Sequence, residues 1–96
     1  MANKLTDDQL RDLVANCPPS GSMWRHYKNR HVYAVVGAAI LEATHQPYVI
    51  YARPVPSQAG IQFSRPLAEW EELVDDDQGV RRERFQRVIN DGVGDG

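Results

Sequence analysis

Trp24, Arg25, His26, Tyr27 and Lys28 place two aromatic rings and three cationic or titratable groups in five consecutive positions. Aromatic rings stack on flat bases, and Arg or Lys pairs with phosphate oxygens, so this mixture suits a nucleotide-like anion. Strand alternation sends Trp24, His26 and Lys28 to one face and Arg25 and Tyr27 to the other. Tyr51, Arg53 and Arg65, on strands that could flank this patch, would add a stacking ring and two guanidinium forks. The competing reading makes Trp24, Tyr27 and Tyr51 core anchors, leaves Arg25 and Lys28 solvated at the rim, and pairs Arg65 with a glutamate of the turn that follows.

Machinery for a reaction is not visible. His26, His31 and His45 never reach a metal spacing with Cys or a carboxylate. His26 has no nucleophile or acid tied to it by sequence, which makes it a hydrogen-bonding group rather than a general base. There is no Gly-x-Ser-x-Gly, no phosphate loop and no dinucleotide fingerprint. The expectation is a protein that is not an enzyme and needs no metal or cofactor.

Composition sets the frame for these residues. A chain of 96 residues supports one modest core, and 42% hydrophobic with 25% charged residues is ordinary for a globular domain. A net charge of −2 gives no overall pull toward nucleic acid or an acidic membrane, so any basic function is local. Cys17 is alone, which excludes an internal disulfide and fits a reducing cytoplasm. No basic segment followed by an apolar one opens the chain, and no apolar run is long enough to span a bilayer.

The elements that must position the patch follow from periodicity and turn chemistry. Thr6 and Gln9 form a capping box with Leu5 and Leu10 at the staple positions, and Asp7 and Asp8 suit the first turn of a helix. Leu10, Leu13, Val14 and Cys17 make one apolar stripe that Pro18 and Pro19 end. Cys17 closes that stripe as a small hydrophobe. Strands are expected from Trp24, over Val32 to Ala43, over Tyr48 to Arg53 and over Ile61 to Arg65. The second is apolar nearly throughout, as in a strand covered on both faces, with a bend or bulge at Gly37. A turn at Asn29, in a left-handed conformation, joins the first two strands. Pro66 starts a helical turn over Leu67 to Leu73, with Leu67, Trp70 and Val74 on one face. Asp75 to Asp77 precede Arg81, Arg82, Arg84 and Arg87, which reads as an internal charge match before anion binding. Around Phe85, helix and strand remain equal alternatives.

Trp24-Arg25-His26-Tyr27-Lys28, Tyr48-Val49-Ile50-Tyr51, Phe63-Ser64-Arg65-Pro66-Leu67 and an Arg-Phe pair at Phe85 resemble, in that order, the motifs of the domain of unknown function 1653 family. The resemblance spans about Gly21 to Val88 and leaves the N-terminal helix outside it. Trp24 stands for a usual Tyr, Asn29 for a usual Gly, and Ala52 for a position that tends to be polar. The family implies a compact β-rich, barrel-like fold in small bacterial and phage proteins, and it supplies no reaction.

The combined expectation is a mainly β (α+β) chain: a small SH3-like or partly open β-barrel over residues 20–90, with an amphipathic helical extension over 1–19 and a disordered tail over 91–96. Its expected role is to bind a nucleotide-like phosphate ligand through Trp24, Arg25, His26, Lys28, Tyr51, Arg53 and Arg65. In a phage setting this would sequester a nucleotide immune signal. The rivals are a protein-interaction module using the acidic turn and the helix stripe, a hydrolase built on His26, and a single-stranded nucleic-acid binder. Homo-oligomers are expected, joined through the helix or an exposed strand.

Overall fold

The computed structural model describes residues 4–88. The expected tail over 91–96 lies outside the described residues. Helix α1, Asp7–Val14, carries the capping box in full: the Thr6 hydroxyl accepts from the Gln9 backbone N–H, and Gln9 Oε1 accepts from the Thr6 N–H. Strands β1 (Met23–His26), β2 (Val32–Leu41), β3 (Gln46–Ala52) and β4 (Phe63–Pro66) follow. A single helical turn, α2 (Leu67–Trp70), leads to β5 (Leu73–Asp75), β6 (Arg81–Glu83) and β7 (Phe85–Val88). The region around Phe85 is therefore strand, and Phe85 points into the core at 3% exposure.

The main sheet is antiparallel in the order β4-β3-β2-β1-β7, and β5 and β6 form a separate two-stranded ribbon. Among the described residues no ladder joins β4 to β7, so the sheet is open and does not close into a barrel. Its edge strands have only four residues each, and the chain between them is used for α2 and the ribbon rather than for further pairing.

Register assigns the faces. Trp24 opposes Tyr33, Val35 opposes Tyr51, Val49 opposes Arg65 and His26 opposes Phe85. Directly opposed residues share a face. That inner face carries a core of Val35, Val49, Tyr51 and Phe85, closed by Leu67 and Trp70 of α2. Each buried side chain of this kind contributes about 1.5–3 kcal/mol through removal from water. Helix α1 packs against β2 and β3, and Cys17, in the turn after it, packs against the core cluster. Leu10, Leu13, Val14 and Cys17 of its stripe are half-buried.

Between Val35 and Gly37 the β2–β3 register shifts by one residue, a bulge at the expected place. The apolar run of β2 is not covered on both faces, however: Val36 is 42% and Leu41 45% exposed. The left-handed residue in the β1–β2 turn is Arg30 (φ 66°), not Asn29, whose side-chain oxygen instead accepts from the His31 N–H. The helical turn after Pro66 stops at Trp70, and Val74 lies in β5.

Candidate functional site

A cleft of about 360 Å³ opens between the β1–β2 turn and the tip of the ribbon. Arg25, His26, Tyr27, Lys28 and Arg30 line it from the turn, and Asp76, Asp77, Gln78 and Arg82 from the ribbon. The turn is fixed by its own backbone: the His26 N–H donates to the His31 carbonyl and the Arg30 N–H to the His26 carbonyl, both at 3.0 Å. Tyr27 is tied to the far side, its N–H donating to the Arg84 carbonyl at 2.9 Å.

His26 sits where the cleft meets the core. Its ring packs edge-on against Phe85 at 5.1 Å and tilts against Tyr27 at 5.0 Å. Burial, followed by the charges of Arg65, Arg84, Lys28 and His31, pushes the imidazole below its ordinary value. Nδ1 accepts from the Lys28 N–H at 3.1 Å, so the neutral ring carries its proton on Nε2. Neutral His26 therefore keeps an Nε2–H, and among the described residues it makes no hydrogen bond or ion pair with a carboxylate.

Charge in the cleft is unbalanced. Arg82 Nε donates to Asp76 Oδ2, and this contact, with the Val80 N–H, holds the Asp76 carboxyl below the usual carboxylate range. Oδ1 of the same carboxylate accepts from the Gln78 and Val80 N–H groups, both at 2.9 Å. Asp76 is thus committed to shaping the ribbon tip. Among the described residues, Arg25, Lys28 and Arg30 are in no ion pair. They face Asp77 alone, an excess of positive charge around a space of ligand size.

The expected constellation does not assemble as one site. Arg25, His26 and Lys28 reach the cleft, although Lys28 does so from the turn rather than from the strand. Tyr51 is a core residue at 6% exposure, ringed by Tyr33, Phe63, Trp70 and Phe85 within 5.1–5.7 Å, so it has no free face for a ligand. Arg65 is spent on the core roof: its guanidinium lies 5.8 Å from the Phe85 centroid, donates to the Tyr51 hydroxyl at 3.4 Å and pairs with Glu69 at 3.4 Å. Trp24 is half-buried and does not line this cleft. Its indole N–H donates to Ser22 Oγ at 2.8 Å, and its ring meets Trp70 at 5.6 Å. It borders a separate 280 Å³ cleft with Asn16, Pro18 and Glu71. Arg53 follows β3 and lines neither cleft.

Tyr27, Arg30 and Arg82 were not in the expected set. Tyr27 and Arg30 share the turn with Lys28, so proximity in sequence was the available signal. Arg82 arrives through the ribbon, which no local pattern reveals. The acidic stretch offered to a protein partner is largely self-neutralised: Asp75 pairs with Arg81 at 3.1 Å and Asp76 with Arg82. Among the described residues no cluster of His, Cys, Asp or Glu could hold a metal ion, and no helix is long and apolar enough to cross a membrane.

The family model for a protein of unknown function, DUF1653, matches residues 22–87. The chain belongs to that family. A DUF1653 protein from Bordetella bronchiseptica, solved by crystallography, superposes with a TM-score of 0.62 at 32% identity, over 78% of this chain and 91% of that one. No curated protein matches the sequence at a significant level. The DUF1653 segment contains every residue lining the cationic cleft and leaves α1 outside it. The family description names no activity.

Proposed function

We propose that this DUF1653 protein binds a small phosphate-bearing, nucleotide-like ligand in the cationic cleft and carries out no reaction on it. The observation that carries the reading is the convergence of Arg25, Lys28 and Arg30, unpaired among the described residues, on a 360 Å³ cleft. Guanidinium forks and an ammonium supply charge-assisted donors for phosphate oxygens. Neutral His26 adds Nε2–H, and Tyr27 replaces Trp24 and Tyr51 as the ring that a base would stack on. In a phage protein this binding would withdraw a nucleotide signal from host defence.

Calorimetric titration with 5′-AMP, 5′-ADP and inorganic phosphate tests the reading, with chromatography of the recovered nucleotide to look for turnover. A charge-assisted contact worth about 1.5–3 kcal/mol means that Arg25→Ala or Arg30→Ala weakens binding by roughly tenfold or more. Binding should also weaken as salt is added. Absence of heat with all three probes, or unchanged affinity in both variants, refutes ligand binding in this cleft. A changed nucleotide refutes the non-catalytic half.

A further inference from the structure

We propose that the cleft bordered by Trp24 and Trp70 binds an arginine, free or within a peptide, through its guanidinium. This cleft of about 280 Å³ has aromatic walls from Trp24, Trp70 and Phe85, and carries the carboxylates of Glu71 and Glu83. It shares no lining residue with the cationic cleft, so the proposal does not depend on the ligand reading. Glu71 directly follows α2, and Glu83 ends β6 opposite Leu73, so the helical turn and the root of the ribbon deliver the two carboxylates.

Charge points to a cation. Four glutamates stand between the start of α2 and the end of β6. Glu69 pairs with Arg65 and Glu72 with Arg84. Glu71 and Glu83, the two that line the cleft, are in no ion pair among the described residues. No Lys or Arg lines the cleft with them. The aromatic walls narrow the choice, because a guanidinium is weakly hydrated, stacks on rings and forks onto carboxylates, whereas an ammonium is a strongly hydrated point charge. The chain makes this pairing itself: Arg87, opposite Trp24 in the β1–β7 ladder, holds its guanidinium 5.7 Å from the Trp24 centroid.

A second observation is independent of charge. Trp70 lines the cleft at 4% exposure, and its indole N–H has no acceptor among the described residues. The N–H of Trp24, whose ring lies 5.6 Å away, is satisfied by Ser22. A buried donor without a partner is costly, and an oxygen carried by the ligand answers it. An arginine brings both the guanidinium and a carbonyl or carboxylate oxygen. The volume suits one such group, being below the about 300–1,000 Å³ of pockets that enclose drug-sized molecules.

The chain has two tryptophans, so the ¹⁵N-labelled protein gives two indole N–H resonances, which Trp24→Phe tells apart. The probes are L-arginine, acetyl-Gly-Arg-Gly-amide and the same peptide with citrulline, which keeps the shape and loses the charge. At least one arginine probe should shift the Trp70 resonance to saturation, and which one does so separates a free ligand from a partner's side chain. Glu71→Gln and Glu83→Gln, isosteric changes at exposed positions, should each weaken that binding by about three- to fivefold. Glu42→Gln, at an exposed carboxylate lining neither cleft, should leave it unchanged. The proposal is overturned if neither arginine probe binds, or if a saturating probe leaves the Trp70 resonance in place. Equal binding of the citrulline peptide, or unchanged affinity in both Gln variants, overturns it as well.

Discussion

Phe85 is the residue on which the inner face turns, and replacing it gives a sharp measure of that packing. Its ring stacks on Trp70 at 3.9 Å and 9°, meets Tyr51 at 5.7 Å and His26 at 5.1 Å, and lies beneath the Arg65 guanidinium. Phe85→Ala removes a side chain whose burial is worth about 2–3 kcal/mol. The walls are held by β3 and α2 and cannot fully collapse. A residual void on the order of 80 Å³, at about 24 cal/mol per Å³, adds roughly 2 kcal/mol. The expected loss is about 4–5 kcal/mol, a large share of the roughly 5–10 kcal/mol typical of a chain this size. Phe85→Leu keeps most of the apolar volume and removes the ring pairs, for an expected loss of about 1–2 kcal/mol. Urea unfolding followed by tryptophan fluorescence reads both. With a slope near 1–1.5 kcal/mol per molar urea, the alanine midpoint should fall by roughly 3 M. An alanine loss below about 1.5 kcal/mol would refute the assignment of Phe85 as the centre of a well-packed core. A leucine loss equal to that of alanine would show that ring geometry outweighs volume.

Two further outcomes are expected. The folded His26 value lies below the unfolded one, so the unfolded chain takes the proton first; its contribution to stability is complete above about 6.5 and is lost as pH falls from there through the folded value. Thermal melts between pH 7.5 and 5 should show this acid-side loss reduced in His26→Gln, and identical profiles for the two proteins would count against it. Thr6→Ala removes the hydroxyl that caps α1, at a cost of about 1 kcal/mol. Amide exchange at Gln9 and Leu10 should accelerate, and unchanged protection would mean that the cap contributes nothing to the helix.

Much of the local structure was legible because its causes are local. The capping box needs only Thr6 and Gln9, and the bulge needs only the weak pairing tendency around Gly37. That Arg25, His26 and Lys28 lie around one cleft was legible for the same reason, since they are close neighbours in the chain. What failed depends on distant partners. Trp24 and Tyr51 carry the same rings whether they face a ligand or a core, and only the pairing of β1 with β2 and β3 with β4 turns both inward. For Arg65 the sequence left a ligand and a glutamate of the next turn as alternatives, and α2 brings Glu69 beside it. The apolar run of β2 suggested cover on two sides, whereas the single chain supplies cover for one.

The bulge at Val36 also changes what kinds of mutation this chain can accept. Before it, Tyr33 and Val35 face the core; after it, Ala38 opposes buried Val49 and takes over that face. Odd positions hand over to even ones, so the strand has a phase as well as a composition. Substitutions in this stretch should have graded effects. Deleting a single residue would invert the face of the whole distal half of the hairpin, while the loop from Pro54 to Gly60 can change length for little more than closure entropy. For this strand, counting residues constrains variation more tightly than choosing them.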